Sequence, residues 1–182
     1  MKTKILIIID AQIDFVTGAL GTQEAKDTVS RIKKFAKKFD GKILMTQDTH
    51  DDRTYLSTQE GIRLPVKHCI MGTEGWEIVP ELRGIKADKV YTKNTFGCRG
   101  LAEELSGFTH GAGEDLTIYL CGFCTDICVV SNALLLKAFL PEANINVMEN
   151  LCAGTTRENH EAALRTIRNN QIDIMTTELP WI

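Results

Sequence analysis

The sequence predicts an α/β protein: a three-layer α/β/α fold with a mostly parallel six-stranded central sheet. Three observations predict it. Short β-branched or apolar runs recur along a chain of 182 residues, a length that suits one domain with a real core and is short for two. Several of these runs are apolar almost throughout and do not alternate, as expected of strands buried on both faces. Segments of helical period lie between them, and strands alternating with helices build a parallel sheet covered on both sides.

The first strand is read over Lys4–Ile9 and ends at Asp10. In the helix that follows, Ala25, Val29, Ile32, Ala36 and Phe39 step by four and three residues, which lays them along one face. The basic run "RIKKFAKK" (Arg31–Lys38) is then the wet face of that helix and not a nucleic-acid site. The second strand, Lys42–Thr46, runs into "TQDTH". From Gln47 to about Pro80 the chain has little period of its own, and loops of that length inside a compact domain are usually functional. The third strand, Lys89–Thr92, ends at Lys93. The fourth, Asp115–Cys121, enters the cysteine-rich stretch "YLCGFCTDICVV". A helix over Ile127–Leu140 is closed by Pro141, and a fifth strand covers Asn144–Met148. "TTRE" offers a capping box, Thr155 with Glu158, for a last helix carrying Ala162, Leu164 and Ile167. The sixth strand is Gln171–Met175. There is no repeat or linker, so residues 1–182 are read as one domain.

The composition, 43% hydrophobic and 25% charged, is that of an ordinary globule. A net charge of -3 gives no bulk attraction to nucleic acid or to an acidic membrane surface. No apolar run approaches the roughly 20 residues that span a bilayer, and "ILIII" (Ile5–Ile9) is too short for a signal sequence and is followed at once by an acid. A cytoplasmic protein with no membrane partner is expected, its six cysteines mostly free thiols.

Open parallel sheets bind ligands outside the carboxyl ends of their strands. At those ends stand Asp10, the pair Asp48 and His50, Lys93, and the cysteine cluster. A carboxylate, a possible metal pair, an amine and a thiol thus converge on one edge. Cys121-Gly-Phe-Cys124 has the C-x-x-C spacing of zinc and redox sites. A structural zinc site wants a second closely spaced pair, which Cys69, Cys98 and Cys152 do not supply. Thr125 is a candidate N-cap that puts Cys128 in a first helical turn, where free N–H groups and the helix dipole favour a thiolate. A thiol nucleophile needs an activating partner, usually histidine. Of the four histidines, His50 and His68 suit a metal, His110 is uninformative and His160 is read as a surface or packing residue. The carboxylate of Asp10 can serve as the base, with Lys93 supplying positive charge.

These residues resemble the isochorismatase-like cysteine hydrolases, and within them the nicotinamidase branch, over essentially the whole chain. The matching elements, in order, are "IIIDAQIDF" (Ile7–Phe15), "TQDTH" with "LPVKHCIMGTEGW", "VYTKNTFG" (Val90–Gly97) and "CGFCTDICV". The resemblance implies a catalytic triad of Asp10, Lys93 and Cys128. It implies an oxyanion hole from the backbone amides of Cys124 and Cys128, with a cis peptide at Phe123–Cys124. It places a divalent metal, zinc or else iron or manganese, on Asp48, His50 and His68, with Asp51 and Asp52 as alternative carboxylates; two imidazoles and a carboxylate with open positions suit such an ion. Phe15, Leu64 and Phe123 are the expected substrate-binding residues. The implied partner is a small amide, with nicotinamide first, and the implied assembly is a homo-oligomer to which the C-terminal "ELPWI" (Glu178–Ile182) can contribute.

The pattern departs from the family at Ile13, where an asparagine is usual, at Leu64, where an aromatic usually walls the ring, and in one extra residue between Pro65 and His68. Another small amide or an N-carbamoyl compound fits the same machinery. A C-x-x-C zinc or redox protein is the non-enzyme alternative, and it requires Cys121 and Cys124 to matter as much as Cys128.

Overall fold

The computed structural model describes residues 3–108 and 113–177. The six strands are β1 (Thr3–Ile9), β2 (Lys42–Asp48), β3 (Lys89–Lys93), β4 (Leu116–Phe123), β5 (Asn144–Ala153) and β6 (Asp173–Met175). They form one sheet in the order β3-β2-β1-β4-β5-β6, and every neighbouring pair is parallel. The chain builds outward from β1 to β3 and then returns to lay β4 on the other side of β1. The switch point of the sheet therefore lies between the carboxyl ends of β1 and β4, where such sheets open a crevice. Gly122 sits at that point opposite Ile9. Its φ is 118°, and a Cβ there would overlap the Ile9 carbonyl, so only glycine lets the strand ends approach.

The helices are α1 (Ile13–Val16), α2 (Gln23–Lys38), α3 (Gln59–Arg63), α4 (Arg99–Gly107), α5 (Val130–Phe139) and α6 (Arg157–Asn169). Helix α2 follows its sequence pattern: Thr22 accepts from the Ala25 N–H, lysines close the last turn, and Ala25, Val29, Ile32 and Ala36 are buried. The stripe packs on the sheet, and each large aliphatic side chain so buried contributes about 1.5–3 kcal/mol. Among the described residues no helix is long and apolar enough to cross a membrane.

Two expectations need correction, and two stretches hold elements not read from the sequence. Helix α6 is capped by Thr156, which accepts from Asn159 N–H, because Thr155 is taken by Asp126, through its N–H at 2.8 Å and its hydroxyl at 2.5 Å. The helix read as starting near Ile127 opens with a π-helical turn over Thr125–Val129, and Thr125 does not cap it; its hydroxyl pairs instead with Nδ1 of His160 at 2.8 Å. Helix α4 carries a buried stripe of Leu101, Ala102 and Leu105 that was not read from the sequence. The stretch from Gln47 to Pro80 holds α3 and short 3-10 turns at Tyr55–Ser57, Glu74–Trp76 and Pro80–Leu82, all too short to show a period. His110 and "ELPWI" lie outside the described residues.

Candidate active site

Asp10, the residue after β1, has a φ of 46°, the left-handed region that few non-glycine residues adopt. Thr46 on β2 holds it there: its carbonyl accepts from the Asp10 N–H at 3.2 Å, and its hydroxyl donates to Oδ1 at 2.6 Å. The Lys93 ammonium, from the end of β3, reaches across β2 and lies 2.7 Å from Asp10 Oδ2 and 3.2 Å from Asp48 Oδ1. Its Nζ is also 3.5 Å from Cys128 Sγ. All four residues are buried. The three strand ends and the π-helical turn thus bring together the predicted triad.

The electrostatics assign resting protonation states. Burial pushes the Asp10 carboxyl up from the usual carboxylate range, Lys93 pulls it back only in part, and Asp48 adds to the rise. Burial opposes the charge on Lys93, yet Asp10, Cys128 and Asp48 outweigh it and hold the ammonium protonated beyond the ordinary lysine range. Burial, with Asp10, pushes the Cys128 thiol far up, against the pull of Lys93. The thiolate expected from a helix start is therefore corrected. Cys128 rests as a thiol, because desolvation of a buried sulfur outweighs the positive end of one helical turn.

The turn that carries Cys128 is clamped from two sides. Asp126 ties it to Thr155, just before the cap of α6, and Thr125 ties it to His160 on α6. Asn132, 1% exposed, ties it to the segment after Lys93: its amide donates to the carbonyls of Cys128 at 2.8 Å and Phe96 at 3.0 Å, and its oxygen accepts from the Cys98 N–H at 2.9 Å. Asn132→Ala strands two buried backbone groups, the Cys98 N–H and the Cys128 carbonyl, and a partly buried one at Phe96. At about 1–3 kcal/mol for each unpaired group, a stability loss of at least about 2 kcal/mol is expected in urea unfolding. Asn132→Asp, which faces two carbonyls with an oxygen, is expected to lose as much. A loss under about 0.5 kcal/mol would show the clamp to be idle.

Beside the triad, Asp48, His50, Glu60 and His68 place one ligand atom each within 4.8 Å of one another. His50 Nε2 lies 3.0 Å from Asp48 Oδ2 and 3.7 Å from Glu60 Oε1. His68 Nε2 lies 3.8 Å and 3.5 Å from the same two oxygens. His68 Nδ1 is 2.9 Å from the Val66 carbonyl; with that nitrogen donating, the lone pair of Nε2 faces the cluster, as in metal-binding histidines. Burial opposes ionisation of Asp48, but His50 and Lys93 together hold its carboxyl below the ordinary range. The donor set of two imidazoles and two carboxylates fits a divalent ion. Glu60 was missed from sequence, and the alternatives weighed there are engaged elsewhere: Asp51 with Arg53 at 3.1 Å and Asp52 with Lys67 at 2.6 Å. Among the described residues this is the one group of three or more potential ligands. Nothing of the kind assembles on Cys121 and Cys124, both buried and free, so the C-x-x-C zinc alternative loses its ground.

A cavity of about 1280 Å³ opens onto Cys124, Cys128 and the cluster. Phe15 and Leu64 line it, together with Ile127 and Phe96. Phe15 packs edge-on to His68 with centroids 5.6 Å apart. Phe123 does not line it: its side chain is wholly buried in the core, and only its cis peptide bond to Cys124 belongs to the site. Ile13 is also turned away, packing against the core. Burial and Asp126 push the Cys124 thiol up to about 12.

The isochorismatase domain matches residues 4–179. A Bacillus subtilis (strain 168) isochorismatase family protein, PncA, is 27% identical over 184 residues, spanning 92% of this chain and 95% of its own. The solved structure of nicotinamidase PncA from Bacillus subtilis is 28% identical, with a TM-score of 0.72 over 96% of this chain and 99% of that one. Pyrazinamidase of Pyrococcus horikoshii, solved in complex with zinc, is 25% identical, with a TM-score of 0.77 over 95% and 98%. N-carbamoylsarcosine amidase from Thermoplasma acidophilum, 22% identical with a TM-score of 0.73 over 97% of both chains, shares the fold. Since the match takes in the sheet from β1 to β6 together with every residue of the buried site, this chain belongs to the isochorismatase family of hydrolases.

Proposed function

We propose that this chain is a cysteine amidohydrolase of the nicotinamidase type, which cleaves a small carboxamide, nicotinamide first among the candidates, to its acid and ammonia. One observation carries the reading: a single buried ammonium lies within 2.7 Å of a buried carboxylate and 3.5 Å of a buried thiol that opens onto the cavity. The nicotinamidase and pyrazinamidase among the similar structures support it.

The substrate carbonyl sits against Cys128 Sγ. Asp10 takes the thiol proton as sulfur attacks, and its raised carboxyl makes it a better base than an exposed aspartate. Lys93 holds the ionised Asp10 and the developing thiolate. The oxyanion is received by the backbone N–H groups of Cys124 and Cys128, where one such donor is typically worth about 2.7–4 kcal/mol. Asp10 returns its proton to the amide nitrogen, the C–N bond breaks and ammonia leaves a thioester. Asp10 then takes a proton from water as the water oxygen attacks the thioester; the C–S bond breaks to release the acid, and Asp10 hands the proton to the departing sulfur, restoring the thiol. Asp48, His50, His68 and Glu60 would hold a divalent ion, zinc or else iron or manganese; bound there, it supplies a Lewis-acid anchor for a ring nitrogen of the substrate. We further propose a homo-oligomer acting in the cytoplasm.

Ammonia release from nicotinamide tests the reading. Chelator-treated protein is expected to lose turnover and zinc to restore it. Glu60→Gln is expected to weaken zinc binding at least about tenfold by calorimetry; unchanged affinity would take Glu60 out of the ligand set. The pH dependence follows from Asp10. The ionised carboxylate is the working form, so activity is full above its pKa and is lost as pH falls through it. Because burial raises that pKa from 3.8, the acid limb of kcat/KM is expected above the ordinary carboxylate range. A limb at or below 3.8 would remove Asp10 from the role of base.

A further inference from the structure

The charges that line the cavity are matched, with one exception. Asp48 is held by Lys93 and His50, Glu60 faces the two imidazoles, and Asp51 pairs with Arg53. Arg63 lines the same cavity, is exposed, and pairs with no carboxylate among the described residues. Its backbone, by contrast, is held firmly. Thr58 caps α3 by accepting from the Gly61 N–H at 3.0 Å. A Cβ at Gly61 would overlap the Tyr55 carbonyl, so the short helix sits directly on Tyr55. The Tyr55 hydroxyl donates to the carbonyl of Leu64, the next residue, at 2.8 Å. Glu60 and Arg63 stand three apart, on one face of the helix. The face that turns Glu60 to the metal cluster therefore also turns Arg63 to the cavity, about one helical turn away.

The size of the cavity gives that cation a purpose. At about 1280 Å³ it exceeds the roughly 300–1,000 Å³ of sites for drug-sized ligands, and a single-ring carboxamide fills only a fraction of it. A planar guanidinium with free donors matches a carboxylate through two parallel hydrogen bonds. We propose that Arg63 forms an anion subsite at the outer end of the cavity, which selects amides carrying a carboxylate remote from the scissile carboxamide. The inference rests on the amidohydrolase reading for the position of the carboxamide, and names the substrate class within it.

The test compares a pyridine carboxamide bearing a carboxylate across the ring with its neutral methyl ester, and the same pair with the carboxylate on a one-carbon arm. Turnover measures the acid-to-ester ratio of kcat/KM, and calorimetric titration of the Cys128→Ala protein measures the same ratio in binding. In at least one pair the acid is expected to be preferred tenfold or more. Arg63→Ala is expected to bring that ratio down at least tenfold through KM, and Arg63→Lys to restore part of it. Equal handling of acid and ester in both pairs, or a ratio unmoved by Arg63→Ala, would overturn the subsite even with amides turned over. Arg63-dependent acid binding without turnover of any amide would keep the subsite and reject the amidohydrolase reading.

Discussion

Cys128→Ala is expected to lower nicotinamide hydrolysis by at least about 10^4-fold with the fold intact, the scale seen when a nucleophile is removed from a catalytic unit. The thioester cannot form without sulfur, and Asp10 and Lys93 then hold a proton and a charge with nothing to deliver them to. The buried alanine leaves a small void, so thermal unfolding should move by only a few degrees. Cys124→Ala is the matched control. Cys124 contributes a backbone N–H to the proposed oxyanion hole, and its thiol is not part of the group of potential metal ligands, so activity within about tenfold of the parent is expected. Equal collapse in both variants would restore the C-x-x-C alternative. Turnover surviving in Cys128→Ala would end the covalent mechanism.

Lys93→Met carries the second large effect, and it falls on stability as well as activity. Lys93 is the cation between Asp10 at 2.7 Å and Asp48 at 3.2 Å. Removing one partner of a buried ion pair costs about 3–5 kcal/mol, because the remaining charge has lost its compensation. Activity is expected to fall at least about 10^3-fold, since Asp10 can no longer be held ionised beside a developing thiolate. The pH dependence separates this from simple loss of packing. Burial already raises Asp10, and Lys93 is the group that pulls it back, so its folded-state pKa rises further in the variant. A carboxyl raised in the folded state favours folding below its unfolded pKa and loses that contribution as pH rises through the folded value. The stability gap between variant and parent in urea unfolding should therefore be smaller at acid pH and widen toward neutrality. A gap independent of pH would mean that Lys93 acts by bulk alone.

Much of this was legible in the chain itself. The apolar runs and the four-and-three spacing on α2 report contacts made within a turn or two, and they located the strands and that helix. Asp10, Lys93 and the cysteine cluster could be singled out because a parallel sheet sends its strand ends to one edge, where Asp48 and His50 also stand two residues apart. The family resemblance then joined Asp10, Lys93 and Cys128 as a triad and added His68 to the metal set. Other features were decided by folding alone. Glu60 reaches His50 and His68 only after Tyr55, Thr58 and Gly61 have set a five-residue helix, which is too short to have a period. Asn132 meets Phe96 across 36 residues, and its neighbours in sequence carry no sign of that partner. Phe123 went inward and Thr155 left its cap because burial and a competing carboxylate, neither of them local, outweighed propensity. The protonation of Cys128 belongs to the same class. Its residue type and position suggested a thiolate, but the energy of a charge depends on the surrounding solvent and charges, and those exist only once β1, β3 and the π-helical turn have closed around the sulfur.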